Sequence, residues 1–192
     1  VYKRQGGPMS CADFAYLLYR DHLIFDPKDP EWFNRDRFIL SGGHMSMLQY
    51  GILHMLGWMK LSDLKKFRQL GSQTPGHPEV EIKGVECTTG PLGQGFAMGV
   101  GMAFAEAYLA DITKSDDLDQ KVVDHYTYVL ATDGDLQEPV ALGAAAIAGV
   151  GMGGMVPFKI IKSEKNSGLS VISFLISSSV CSGFVMLFSL LL

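Results

Sequence analysis

Asp133 and Gly134 stand at the end of "HYTYVLAT", an aromatic and β-branched run that reads as a buried strand. In a parallel sheet, ligands gather at the carboxyl ends of the strands. A carboxylate there can hold a hard cation such as Mg2+, and a glycine beside it lets the backbone approach a phosphate. An ordinary turn uses the same Asp-Gly pair, so by itself the pair decides nothing. Two histidines lie in glycine settings: His44 in "SGGHMS" and His77 in "TPGHPE". Both read as loop residues open to a ligand. His77 lies near the start of "TPGHPEVEIKGVECTTGPLGQG", a stretch rich in glycine and proline and poor in bulky apolar residues. Such a stretch is expected to bind rather than pack, since long structureless loops in compact domains are usually functional. Other histidines carry less. His54 falls on an apolar helix and reads as structural, and His125, at the start of a strand, draws no role.

The elements that must position these residues follow from periodicity. "SCADFAYLLYRDHLIF" has near-helical apolar spacing, with Ser10 as its expected cap. "DPKDPEWFNRDRF" reads as loop, because each proline pushes its predecessor out of helix. "HMSMLQYGILHMLGW" reads as a mostly buried helix. "LSDLKKFRQLG" reads as a short one, capped by Ser62 and stopped by Gly71. "GFAMGVGMAFAEAYLA" is a helix whose small residues suit close packing. "DITKSDDLDQK" is a solvated connection, "LQEPVALGAAAIAG" a further small-residue helix, and "MVPFKII" a second strand. This order predicts an α/β fold with a parallel sheet.

Composition sets the outer bounds. The chain has 192 residues, 47% of them hydrophobic, and a net charge of −4. That is enough for one domain with a sizeable core. No basic stripe is present, which argues against a nucleic-acid partner. Cys11, Cys87 and Cys181 are far apart and form no C-x-x-C pair, so neither a zinc site nor a disulfide framework is expected. A reducing cytoplasm is the default setting. No secretory signal follows Lys3 and Arg4. "VYKRQ" resembles a translated sequencing adapter, and residues 1–5 are read as a non-native scar.

Four stretches occur in order and at tight spacing: "RDRFILSGGHMSMLQYGILHMLGW", "FRQLGSQTPGHPE", "GVECTTGPLGQGFAMGVGMAFAEAYL" and "VDHYTYVLATDGDLQE". Together they closely resemble the N-terminal, diphosphate-binding domain of transketolase over about residues 6–158. The resemblance implies a parallel-sheet thiamine-diphosphate-binding fold, here incomplete. It also implies thiamine diphosphate with Mg2+ or Ca2+ as cofactors, and transfer of a two-carbon ketol unit between sugar phosphates in the pentose phosphate pathway. Carried over residue by residue, His44 matches a histidine near the diphosphate and substrate. His77 matches one that hydrogen-bonds substrate oxygens, which makes both histidines candidate catalytic residues. Gly90 and Leu92 match the contact beneath the cofactor, Leu92 favouring its bent form. Asp133 matches the metal-binding aspartate, Gly134 the glycine on the diphosphate, and Glu138 a glutamate at the subunit interface, grouped here with the cofactor-binding residues. Arg68 and Ser72 are weaker candidates for supporting the loop or a substrate phosphate.

The resemblance also has gaps. Thr132 replaces the first glycine of the Gly-Asp-Gly motif. An earlier substrate-binding histidine has no counterpart. The second metal ligand, an asparagine, falls near Lys162, whose ammonium has no lone pair to offer; Asn166 could serve only if the loop re-routes. The second domain, which the partner subunit supplies along with a proton-donating glutamate, has no counterpart either. The expectation is therefore a fragment, inactive alone, whose partner is a homodimer mate or a missing C-terminal half. The alternatives are an N-terminal subunit of a split enzyme, or a non-catalytic, membrane-tethered cofactor-binding protein. "LSVISFLISSSVCSGFVMLFSLLL", Leu169–Leu192, is uncharged and long enough to span a bilayer. Its serines and the lack of a basic anchor after it argue against a span, so membrane association is not expected. Residues 159–192 are read as a non-family apolar tail: a translation artefact, an anchor or a buried terminal element.

Overall fold

The computed structural model of the chain describes residues 6–114, 122–150, 158–163 and 174–175. The expected scar at 1–5, most of the charged connection at 111–121, Asn166 and nearly all of the apolar tail lie outside the described residues.

Strand β1 (Arg37–Leu40) and strand β2 (Thr127–Thr132) pair in parallel, with Leu40 opposite Leu130. On the far side of β2, strand β3 (Phe158–Ser163) pairs with it in parallel, Thr132 opposite Ser163. A two-residue strand, β4 (Phe174–Leu175), closes the order β1-β2-β3-β4 antiparallel to β3.

Every residue of β2 is buried, because helices cover both faces of the sheet. The period-two alternation divides the core. Phe38, Leu40, Tyr128 and Leu130 face one way. They pack on Cys11, Ala15 and Leu18 of the N-terminal segment, on Met45 just before α3 (Ser46–Met55), and on Leu48 and Ile52 within it. Ile39, Val129 and Ala131 face the other way, onto Phe96, Val100 and Ala103 of α5 (Gln94–Ile112) and Ala141 and Ala148 of α7 (Pro139–Val150). Small residues let α5 sit close to the sheet: a Cβ on Gly95 would lie 2.6 Å from the Cα of Ser41. A third cluster holds Tyr50, Leu53, Met59, Ile82 and Val85.

Several local expectations need correction. The first predicted helix is two pieces, α2 (Ala12–Leu17) and a π-helical turn at Leu18–His22, and a short helix not foreseen, α1 (Gly6–Ser10), precedes them. Ser10 caps nothing; its hydroxyl bonds back to the Gly6 carbonyl, and Cys11 takes the cap position of α2. Ser62 lies inside the single turn α4 (Leu61–Leu64), where Lys60 is the N-cap residue. The helix predicted after β2 breaks at Glu138 into α6 (Asp133–Gln137) and α7. The break follows from Pro139, which has no N–H to give and disfavours helical backbone at its predecessor; Glu138 is extended at ψ 137°. The long loop also packs in part, since Ile82, Val85 and Cys87 are buried. Its Glu86 accepts from Arg35 at 2.9 Å and lies 3.8 Å from Arg37, which ties the loop to the start of β1. Burial raises the Glu86 carboxyl above its ordinary range, and Arg35 only partly offsets this.

Candidate functional site

The site forms where β1 and β2 end. Ser41 follows β1, its N–H donating to the Leu130 carbonyl at 3.0 Å, and Asp133 follows β2. The chain after Ser41 makes a 3-10 turn (Gly43–Met45) that leads into α3. This turn lies directly on the long loop: a Cβ on Gly43 would sit 2.8 Å from the Gly90 amide nitrogen. His44, the next residue, is exposed.

The His77 segment hangs from α3. The Tyr50 hydroxyl, at 3.0 Å from both the Pro75 and His77 carbonyls, and the Ser46 hydroxyl, at 2.9 Å from the Gly76 carbonyl, fix its backbone. Burial raises the Tyr50 pKa well above its ordinary value, so the phenol keeps its proton for these bonds. The His77 ring lies beside Gly90, 3.3–3.5 Å from where a Cβ would stand. Two residues on, the Leu92 side chain reaches Gly134, its Cδ1 lying 3.3 Å from the corresponding Cβ position. Leu92 is 37% exposed, so one side of it is open. Gly93 has φ 79°, which a glycine adopts at little cost, and its Cβ position lies 2.8 Å from the Cβ of Glu138.

The structure brings His77 and Glu138 against the Gly90–Gly93 turn and Leu92 of that turn against Gly134, while His44 and Asp133 lie next in the chain to Gly43 and Gly134. His77 is beside Gly90, Leu92 beside Gly134, and Glu138 beside Gly93. His44 follows the glycine that presses on Gly90, and Asp133 precedes the glycine that Leu92 covers. Arg68 adopts a left-handed φ of 62°, and its guanidinium lies against Gly76, next to His77. His54 is structural as expected, its Nδ1 at 2.8 Å from the Met59 carbonyl.

The sequence reading missed the residues that join these pieces. Asp135 is fully buried. Its Oδ1 accepts from the Ser41 hydroxyl and the Gly93 N–H, both at 2.9 Å, and its Oδ2 accepts from the Thr132 N–H at 2.8 Å and the Thr132 hydroxyl at 2.7 Å. The Ser41 oxygen also accepts from the Phe96 N–H at 3.0 Å, and the Thr89 hydroxyl donates to the Leu40 carbonyl at 2.8 Å. One signal was in the sequence: Thr132-x-x-Asp135 has the spacing of a capping box at a helix start, which the structure forms.

The donor set near Asp133 suits a diphosphate-bound cation. Mg2+ is commonly held by one or two carboxylates, with phosphate oxygens and water filling its remaining positions. Asp133 is partly exposed and offers one carboxylate, while that of Asp135 is used up in its hydrogen bonds. Among the described residues there is no group of three or more His, Cys, Asp or Glu suited to a metal ion. The β2–β3 register places Lys162 opposite Ala131, two residues short of Asp133.

A mostly parallel sheet sandwiched by helices, with a candidate ligand site at its strand ends, defines an α/β domain. A family model described as "Transketolase, thiamine diphosphate binding domain" matches residues 3–158, and the chain belongs to that family. It is 57% identical over 145 residues to a transketolase of Staphylococcus epidermidis, a match covering 75% of this chain and 22% of that protein. It is 52% identical over 157 residues to a chloroplastic transketolase of Zea mays, covering 80% and 23% respectively. Among solved structures it resembles transketolase from Leishmania mexicana with a TM-score of 0.77 and 44% identity, over 83% of this chain and 23% of that one. The chain therefore spans about a quarter or less of the length of these relatives.

Proposed function

We propose that the chain forms the diphosphate-holding side of a ketol-transfer site and works only with the remainder of a transketolase. When bound, thiamine diphosphate supplies the electron sink for cleaving the bond beside a ketose carbonyl. The chain's own residues hold and shape the site. Asp133 takes Mg2+ or Ca2+, and Gly134 leaves its backbone open to the diphosphate. The Gly90 backbone and the Leu92 side chain would support the cofactor's ring portion. His77 and His44 hydrogen-bond sugar oxygens, and Glu138 serves the subunit contact.

The observation that supports this reading is the double approach of His77 to Gly90 and of Leu92 to Gly134, at the strand end that carries Asp133. The substrates on this reading are sugar phosphates of the pentose phosphate pathway, and the setting is cytoplasmic. No helix among the described residues is long and apolar enough to cross a membrane. Residues 159–192 are read as foreign to the family, although β3 begins at its boundary.

Co-expression with the C-terminal part of a transketolase, followed by an assay for seven-carbon sugar phosphate from pentose phosphates, tests the proposal. Activity is expected from the pair and none from the chain alone. Turnover by the isolated chain refutes the inactive-fragment reading, and an inert pair refutes the complementing role.

A further inference from the structure

The Asp135 carboxylate joins three segments that carry candidate ligand-binding residues. Its Ser41 bond holds the end of β1, three residues before His44. Its Gly93 bond holds the turn that carries Gly90 and Leu92. Its two Thr132 bonds hold the end of β2, one residue before Asp133. Four donors converge on one fully buried carboxylate. Buried charges are kept in proteins when they are hydrogen-bonded in this way.

Thr132 is the other half of the device. Its hydroxyl donates to Asp135 and accepts the Asp135 N–H at 3.2 Å. Its methyl group closes over the β1 end, 2.7 Å from where a Cβ on Gly42 would stand. The residue that departs from the expected Gly-Asp-Gly pattern is thus tied to both Asp135 and the His44 turn.

We propose that the Thr132–Asp135 pair is a positioning clamp. It sets the spacing between the strand end that receives the diphosphate and the turn that receives the rings, so that both ends of one ligand are met at once. This rests on the cofactor reading above. A clamp of this kind has a signature that a stabilising contact lacks. Loosening it weakens a ligand that bridges the two segments and spares one that uses a single segment.

The test compares thiamine diphosphate with pyrophosphate, each titrated in excess Mg2+ into the full chain, for wild type, Asp135→Asn, Thr132→Val and Thr132→Ser. Asn offers one acceptor oxygen to donors arranged for two. Val keeps the shape of Thr without its hydroxyl, and Ser keeps the hydroxyl. Should Asp135→Asn fail to fold, the Thr132 pair still decides. Thiamine diphosphate affinity is expected to fall about tenfold or more in Asp135→Asn and Thr132→Val, the scale of losing a hydrogen bond to a buried charge. Pyrophosphate affinity should stay within about threefold, and Thr132→Ser, which keeps the hydroxyl that Asp135 uses but not the methyl, should hold thiamine diphosphate more tightly than Thr132→Val. A wild type that binds, with variants unchanged or with both ligands weakened equally, overturns the clamp alone. A wild type that binds neither ligand overturns the clamp together with the cofactor reading.

Discussion

Replacing Gly93 by alanine would add a methyl carbon where the fold has no room for it. The new Cβ would stand 2.8 Å from the Glu138 Cβ, 2.9 Å from a Val140 methyl and 3.3 Å from the Asp135 carbonyl oxygen. The first and last of these atoms belong to, or are bonded directly to, the backbone, so a rotamer change cannot relieve them. Overpacking of this kind costs roughly 1–3 kcal/mol. The backbone adds to this, since φ is 79° and the left-handed region costs an L-residue about 1–2 kcal/mol. Together Gly93→Ala should destabilise the chain by roughly 2–5 kcal/mol, a large share of the usual stability of a domain. Urea unfolding followed by tryptophan fluorescence measures it. Gly101→Ala is the internal control: it lies within α5, a Cβ there meets nothing within 4 Å, and alanine should stabilise by about 0.5–1 kcal/mol. A Gly93→Ala chain within about 0.5 kcal/mol of wild type would refute the packing of the turn on the α6–α7 junction.

Other outcomes follow from the buried groups. Burial raises the Glu86 carboxyl above 4.5 in the folded chain, so its contribution to stability is present below that value and is lost as pH rises through the folded value. Glu86→Gln lacks this loss, and its stability relative to wild type should improve from about pH 4.5 to about pH 7; a constant difference in urea midpoint would contradict this. The Cys87 thiol is pushed up from 9.0 to about 11, chiefly by burial, which leaves about a hundredfold less thiolate at mildly alkaline pH. Iodoacetamide should therefore label Cys87 only in denaturant, as read by peptide mass mapping, and rapid labelling of the folded chain would refute its burial.

The long helices and β2 were legible because their patterns are local. "HYTYVLAT" shows its β character in its side chains, and α5 shows its helix in an unbroken run without proline. Strand β1 was not legible. Arg37–Leu40 is short, and its apolar residues run on between a proline-rich loop and "SGGH", so only pairing with β2 makes it a strand. Ser10 and Ser62 are not caps because residue type alone does not place a helix start, and the backbone turns at Cys11 and Lys60 instead. Asp135 does not stand out beside Asp133 for a related reason. An aspartate looks solvated until the fold brings donors from residues 41 and 93 against it. The candidate histidines and glycines stand out in the sequence chiefly because long motifs in register carry them, and the register says nothing of which neighbours hold them in place.

The central claim is that Asp133 anchors a cation that holds a diphosphate at the end of β2. Isothermal titration of the full chain with thiamine diphosphate, with and without Mg2+, for wild type and Asp133→Ala, tests it most directly. Saturable binding that requires the cation and disappears in Asp133→Ala is the result predicted. Equal binding by both chains, or binding indifferent to the cation, would contradict it.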